Sequence, residues 1–192
     1  MELKELKLKQ IKQEVLNCRK CPLYKTRNYP VIGEGNHSAK IMFVGEAPGE
    51  QEDKTGHPFC GRAGEILDQL LLSINLNRKE VYITNLLKCR PPQNRDPLPE
   101  EIKACSPYLL RQIELISPKI ICPLGRYAMN FLMQRFGLKP DSISKIHGRV
   151  FKVSGLFHSL IIIPLYHPAV ATYNPFMIEQ LKKDFKILKQ LN

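Results

Sequence analysis

Cys18 and Cys21 stand two residues apart, a spacing that lets both sulfurs chelate one metal centre. Cys89 and Cys105 lie 16 positions apart. They can reach one point in space if Cys89 ends a strand and Cys105 sits in the first turns of the next helix. Two early and two central thiolates would make a four-cysteine site that pins the N-terminal arm to the body. Zinc and an iron–sulfur cluster both accept four Cys. Structural zinc usually shows a second short-spaced pair, so the wide second spacing leans towards a cluster. Free Cys is also a common core residue: Cys105 reads equally well as a buried thiol, and for Cys122 that reading is the favoured one. Cys60, beside Phe59, has no evident partner.

Residues 46–53 carry Glu46, Glu50, Glu52 and Asp53, four acids in eight residues of a chain whose net charge is +11. Such a run is either a solvated loop or a source of carboxylates for general acid–base work and water orientation. The segment is not a Walker loop, because no Gly-Lys-Ser/Thr follows, and there is no G-x-G-x-x-G, so nucleotide binding is disfavoured. His167 follows an apolar run and precedes Pro168, and Asn85 closes another run. Each is a site candidate, although a loop His or a turn-forming Asn explains either one alone.

The elements that must position these groups follow from periodicity. Helices are predicted at 2–16, 63–75, 99–116, 125–136 and 175–191, the third opened by Pro99 and two Glu. Strands are predicted at 40–45, 80–87, 119–123 and 159–164, with a further one at 149–153. Alternation of the two types points to an α/β fold with a largely parallel sheet. Ligands in such sheets bind beyond the carboxyl ends of the strands. That brings the 45–60, 85–97 and 165–174 loops together.

A chain of 192 residues fits one domain, taken here as 1–192, with the N-terminal helix and Cys loop at 1–39. Lys and Arg number 29 against 18 Asp and Glu, which favours a polyanionic partner. No window is apolar enough to span a membrane, and the N-terminus lacks the apolar stretch of a secretory signal. An intracellular, cytoplasmic protein with reduced thiols is expected.

Five ordered segments carry a resemblance: CRKCPLYKTR (18–27), VGEAPGEQED (44–53), GHPFCGRAG (56–64), TNLLKCRPPQNR (84–95) and YHPA (166–169). Together they resemble the family 4, iron–sulfur uracil-DNA glycosylases of the uracil-DNA glycosylase superfamily, over about residues 17–175. The resemblance implies a three-layer α/β/α fold with a short, mostly parallel four-stranded sheet. It implies a [4Fe-4S] cluster on Cys18, Cys21, Cys89 and Cys105. The expected activity is monofunctional: hydrolysis of the N-glycosidic bond of uracil in DNA, releasing the base and leaving an abasic site. The partner is single- or double-stranded DNA and the protein is expected to act as a monomer.

By the same resemblance Phe59 stacks on the base and Asn85 reads its edge. The amide oxygen would accept N3–H and the NH2 would meet O4, a pattern that cytosine reverses. Glu50 or Glu52 is the candidate for excluding the thymine methyl. His167 would stabilise charge developing on O2. Glu46 would orient the attacking water, with Asn94 as a second candidate. Ala47 replaces the Asp of some other superfamily members, and the backbone at Pro48-Gly49 would approach a phosphate. Arg62, Lys88, Arg90 and Arg95 are candidate phosphate contacts. Two other classes compete. A nonenzymatic, metal-stabilised nucleic-acid-binding module explains the charge and the Cys but gives Phe59, Asn85 and His167 no joint role. A metal-dependent phosphoesterase would need a two-metal ligand set that the motif order does not supply.

Overall fold

The structure is a computed structural model that describes residues 2–154 and 159–191. Strands are β1 (Glu34–Gly35), β2 (Ile41–Gly45), β3 (Tyr82–Asn85), β4 (Ile120–Pro123), β5 (Phe151–Ser154) and β6 (Ser159–Ile162). Helices are α1 (Glu2–Leu16), α2 (Glu50–Thr55), α3 (Arg62–Ser73), α4 (Pro99–Ile116), α5 (Arg126–Arg135), α6 (Ile143–Ile146), α7 (Val170–Tyr173) and α8 (Met177–Leu191). Among these residues no helix is long and apolar enough to cross a membrane.

The strands form one sheet in the order β1-β3-β2-β4-β6-β5. Strands β3, β2, β4 and β6 run parallel, and β1 and β5 close the two edges antiparallel. The expected α/β class holds, but the sheet has six strands rather than four. The four parallel strands are the expected core, edge strand β5 falls on the further strand predicted at 149–153, and β1 is an edge whose pairing depends on its tertiary neighbour rather than on a local apolar run. The 45–60 segment also holds α2, which sequence reading took as loop throughout.

Strand β2 is buried at every position, as a strand covered on both faces must be. Its alternation sorts the layers. Met42 and Val44 share a core with α1 and α4, through Ile11, Val15, Tyr108 and Leu109. Ile41 and Phe43 face the opposite layer, where Leu67 and Leu71 of α3 and Phe185 of α8 pack. Phe43 and Phe185 stack with ring centroids 5.6 Å apart. Burying a ring of that size stabilises by roughly 1.5–3 kcal/mol, and Phe43→Ala would cost about 3–5 kcal/mol. Cys122 lies in this second core, fully buried, so its reading as a structural thiol holds.

Register positions the site. Gly45 pairs with Asn85 across β2 and β3, and Val44 pairs with Pro123 of β4. The carboxyl ends of the parallel strands are therefore level, and their loops rise on one side.

Candidate active site

Those loops enclose a cleft of about 510 Å³. Its lining includes Glu46, Ala47, Gly49, Glu52, Phe59, Asn85, Asn94 and His167, so every predicted catalytic and base-binding residue is brought to one place. Glu50 is not in the lining.

Asn85 ends β3 and is buried, with 2% of its surface exposed. Among the described residues its side-chain oxygen has no hydrogen-bond partner, although it is sealed from bulk water by the protein. A buried acceptor left unmatched costs about 1–3 kcal/mol, and such an orphan marks a place where a ligand donor belongs. Gly45 makes room for it: a Cβ there would come within 2.2 Å of Asn85 Oδ1 and 2.7 Å of the Phe59 ring.

Phe59 takes a left-handed backbone conformation, φ 50°, which costs a non-glycine residue on the order of 1–3 kcal/mol. Arg78 holds it there. Its guanidinium donates to the Pro58 carbonyl at 2.6 Å and to the Phe59 carbonyl at 3.1 Å. The same group is anchored by Asp68 at 3.0 Å and Glu34 at 3.1 Å. Gly64 in α3 permits the close approach, since a Cβ would fall 1.7 Å from the Phe59 carbonyl oxygen. The Phe59 and His167 rings lie nearly parallel, with centroids 5.5 Å apart and an interplanar angle of 26°.

His167 is half-buried, and its enclosure pushes the imidazole pKa down to about 4, with Glu52 pulling weakly the other way. The ring is therefore neutral at pH 7. Its Nδ1 accepts the Ala169 N–H at 3.2 Å, which places the single ring proton on Nε2.

Glu46 follows β2. Burial raises its pKa; the Tyr127 N–H and the Arg126 charge act against that rise, while Asp96 adds to it. The Tyr127 amide donates to Glu46 Oε1 at 3.0 Å.

Glu52 is a brace. One oxygen accepts the Cys60 and Gly61 N–H groups, each at 3.0 Å, and the other accepts the Gly49 N–H at 3.1 Å. It thereby joins the loop after β2 to the segment that carries Phe59. Glu50 instead pairs with Lys54 at 2.6 Å on the surface. Asn94 has φ 55° and accepts Arg90 Nε at 2.7 Å through its side-chain oxygen, leaving its NH2 for the cleft.

The phosphate candidates divide. Arg62 is exposed, and Arg95 is held by Glu101 at 2.6 Å. Lys88 is corrected: with 1% of its surface exposed it cannot reach a phosphate. Its ammonium donates to Thr84 Oγ1, the Asn85 carbonyl and Gln112 Oε1 at 2.6, 2.8 and 2.7 Å, and burial lowers its pKa to about 7. It braces the backbone beneath Asn85.

Cys18, Cys21, Cys89 and Cys105 line a second, smaller hollow between α1 and α4. Arg27 donates to Cys89 Sγ at 3.1 Å, and the Lys88 N–H to Cys105 Sγ at 3.2 Å. Both bonds suit sulfurs that carry negative charge. Among the described residues no three His, Cys, Asp or Glu side chains are set to hold a single metal ion. Cys60 is exposed and apart from this group.

The Uracil DNA glycosylase superfamily model matches residues 32–191. The chain belongs to that superfamily. It is 48% identical to the type-4 uracil-DNA glycosylase of Archaeoglobus fulgidus over 184 residues, covering 96% of this chain and 92% of that protein. It is 49% identical to the type-4 uracil-DNA glycosylase of Sulfurisphaera tokodaii, over 96% of this chain and 84% of that one. A type-5 uracil-DNA glycosylase of Thermus thermophilus is 34% identical over 68% of this chain and 66% of its own length.

Against this superfamily, sequence reading missed the groups that act through the backbone or from a distance. The loop after β4, Leu124 to Tyr127, enters the site through a main-chain N–H that no residue type announces. Its one signal was the Leu-Gly pair that ends the third apolar run. Arg78 is 19 residues from Phe59 and gave no local sign of its role.

Proposed function

We propose that this protein excises uracil from DNA by hydrolysis of the N-glycosidic bond. Superfamily membership supports the reaction class. The observation that carries the substrate is the unpartnered Asn85 oxygen at the wall of a cleft faced by an aromatic ring and a neutral histidine.

A uracil turned out of the stack enters this cleft. Phe59 lies against its face. Asn85 Oδ1 accepts uracil N3–H, and the amide NH2 donates to O4. Cytosine would set donor against donor, leaving buried groups unpaired. Glu52, which lines the cleft where Glu50 does not, braces the Gly49 wall that limits the space beside the pyrimidine ring.

As the C1′–N1 bond breaks, its electron pair passes to the base and the sugar turns positive. His167, neutral and protonated on Nε2, donates to O2, where the negative charge gathers. Glu46 opposes the positive sugar, orients a water at C1′ and receives its proton. Asn94 offers a donor to the same water. The uracil anion then takes up a proton from solvent and Glu46 gives its proton back to solvent, so the net products are free uracil and an abasic deoxyribose.

The four-cysteine hollow fits a [4Fe-4S] cluster: four cysteines line one space, and two of their sulfurs accept donors suited to thiolates. When bound, the cluster would supply structural cross-linking; hydrolysis moves no electrons. DNA is the partner, and the +11 charge favours its backbone in a salt-dependent way. The cleft is complete within one chain, which supports action as a monomer.

The test is incubation with a uracil-containing oligonucleotide in EDTA, followed by alkali. Scission at uracil alone is expected. Scission that needs added metal, or binding without scission, would overturn the proposal.

A further inference from the structure

The second residue of a helix has an amide with no partner inside that helix. In α5 this residue is Tyr127, and its N–H donates to Glu46 Oε1 at 3.0 Å. Gly125, just before the helix, has φ +91°, and a Cβ there would stand 2.5 Å from the same oxygen. One observation is an attraction and the other is a space kept clear, and both converge on one atom. Gly125 is itself tied to the strand leading to His167, through its N–H to the Leu165 carbonyl at 2.9 Å. The backbone N–H of Arg126, one residue earlier in the same turn, also acts on this carboxylate. The charged groups facing Glu46 are Arg126 and Asp96, which pair with each other at 2.5 Å, and His167 shares the cleft as a neutral ring.

We infer that the Gly125–Tyr127 turn is a positioning device for the catalytic carboxylate: it pins Oε1 and so presents Oε2 to the attacking water. This rests on the role given to Glu46 above. A carboxylate free to rotate would spend much of its time with neither oxygen aligned on C1′, and misalignment is costly for a reaction that depends on near-attack geometry. Tyr127 acts here through its main chain and is a positioning residue, not a catalytic one.

The experiment compares Tyr127→Pro with Tyr127→Ala in single-turnover excision of uracil from a single-stranded oligonucleotide. Proline in the first helical turn keeps a helical φ but has no N–H, whereas alanine keeps the N–H and sets the baseline for loss of the ring. Both are made with Glu46 present and in a Glu46→Ala background. With Glu46 present, the proline variant is expected to cleave about tenfold more slowly than the alanine variant, at an oligonucleotide affinity within about threefold. Its acid limb should move to higher pH, because a bond favouring the charged carboxylate is gone. In the Glu46→Ala background the two variants should cleave equally.

Equal rates with Glu46 present would overturn the inference, as would the same tenfold gap without Glu46. Full activity of Glu46→Ala alone would instead overturn the role of Glu46 itself. Should Tyr127→Pro fail to fold on thermal melting, Gly125→Ala carries the same comparison, since its methyl group would displace Oε1.

Discussion

Ala169 donates its backbone N–H to Nδ1 of His167 at 3.2 Å, two residues along the same turn. That bond decides which ring nitrogen carries the proton. The α/β sheet ends each parallel strand at one level, and β6 delivers this turn to the cleft already committed to Nε2–H. A histidine chosen for charge would be left protonated; this one is kept neutral by enclosure.

The protonation state is open to direct measurement. Nitrogen-15 NMR of histidine-labelled protein is expected to show His167 as the Nε2–H tautomer, titrating near 4 rather than near the ordinary 6.5. The sign for stability follows. Folding disfavours the cation, so this contribution is complete above about pH 6.5 and is lost as pH falls towards 4. A His167 signal that titrates near 6.5 would remove the neutral donor from the mechanism.

Asn85→Asp tests base reading. A carboxylate keeps an acceptor where Oδ1 stands unpartnered but supplies no donor for O4. Uracil excision is expected to fall by roughly a hundredfold or more, with residual activity shifted towards cytosine. Competition between uracil- and cytosine-containing oligonucleotides measures it, and unchanged uracil selectivity at full rate would defeat the assignment.

Glu52→Ala separates brace from bystander. Three backbone amides lose an ionised acceptor, each bond being worth about 1.5–3 kcal/mol before allowance for partial exposure. Melting temperature should drop by several degrees and KM for uracil DNA should rise. Glu50→Ala breaks an exposed pair with Lys54 and a longer contact with Arg90 at 3.9 Å, and should melt close to the parent. Equal melting of both variants would show that Glu52 braces nothing.

The four-cysteine hollow predicts colour. Purified protein is expected to be brown, with broad absorption near about 400 nm, and Cys89→Ser should bleach it and lower its melting temperature. Colourless, zinc-loaded protein with an intact melting curve would exclude the cluster.

Much of this was legible in residue order. The short apolar runs 40–45 and 119–123 read as buried strands, and Pro99 with two acids marks a helix start that the structure keeps at the same residue. Phe59, Asn85 and His167 were found because their segments resemble a family, not because any of them stands out alone. Lys88 reads as a surface cation because it precedes Arg90 and a Pro-rich loop by two residues; its burial depends on Gln112, 24 residues away. β1 is two residues long and exists only because β3 lies beside it.

The pairing of α1 with α4 has a consequence for synthesis. Leu8, Ile11 and Val15 find their cover on a helix whose Arg111 pairs with Glu14, 97 positions back. Until the ribosome has released that stretch, the first helix travels with an apolar stripe open to water, and the early cysteine pair waits for its later partners. Contacts this distant in sequence close slowly. The cysteine site therefore cannot form before residue 105 has been made, and the cleft waits longer still, for His167.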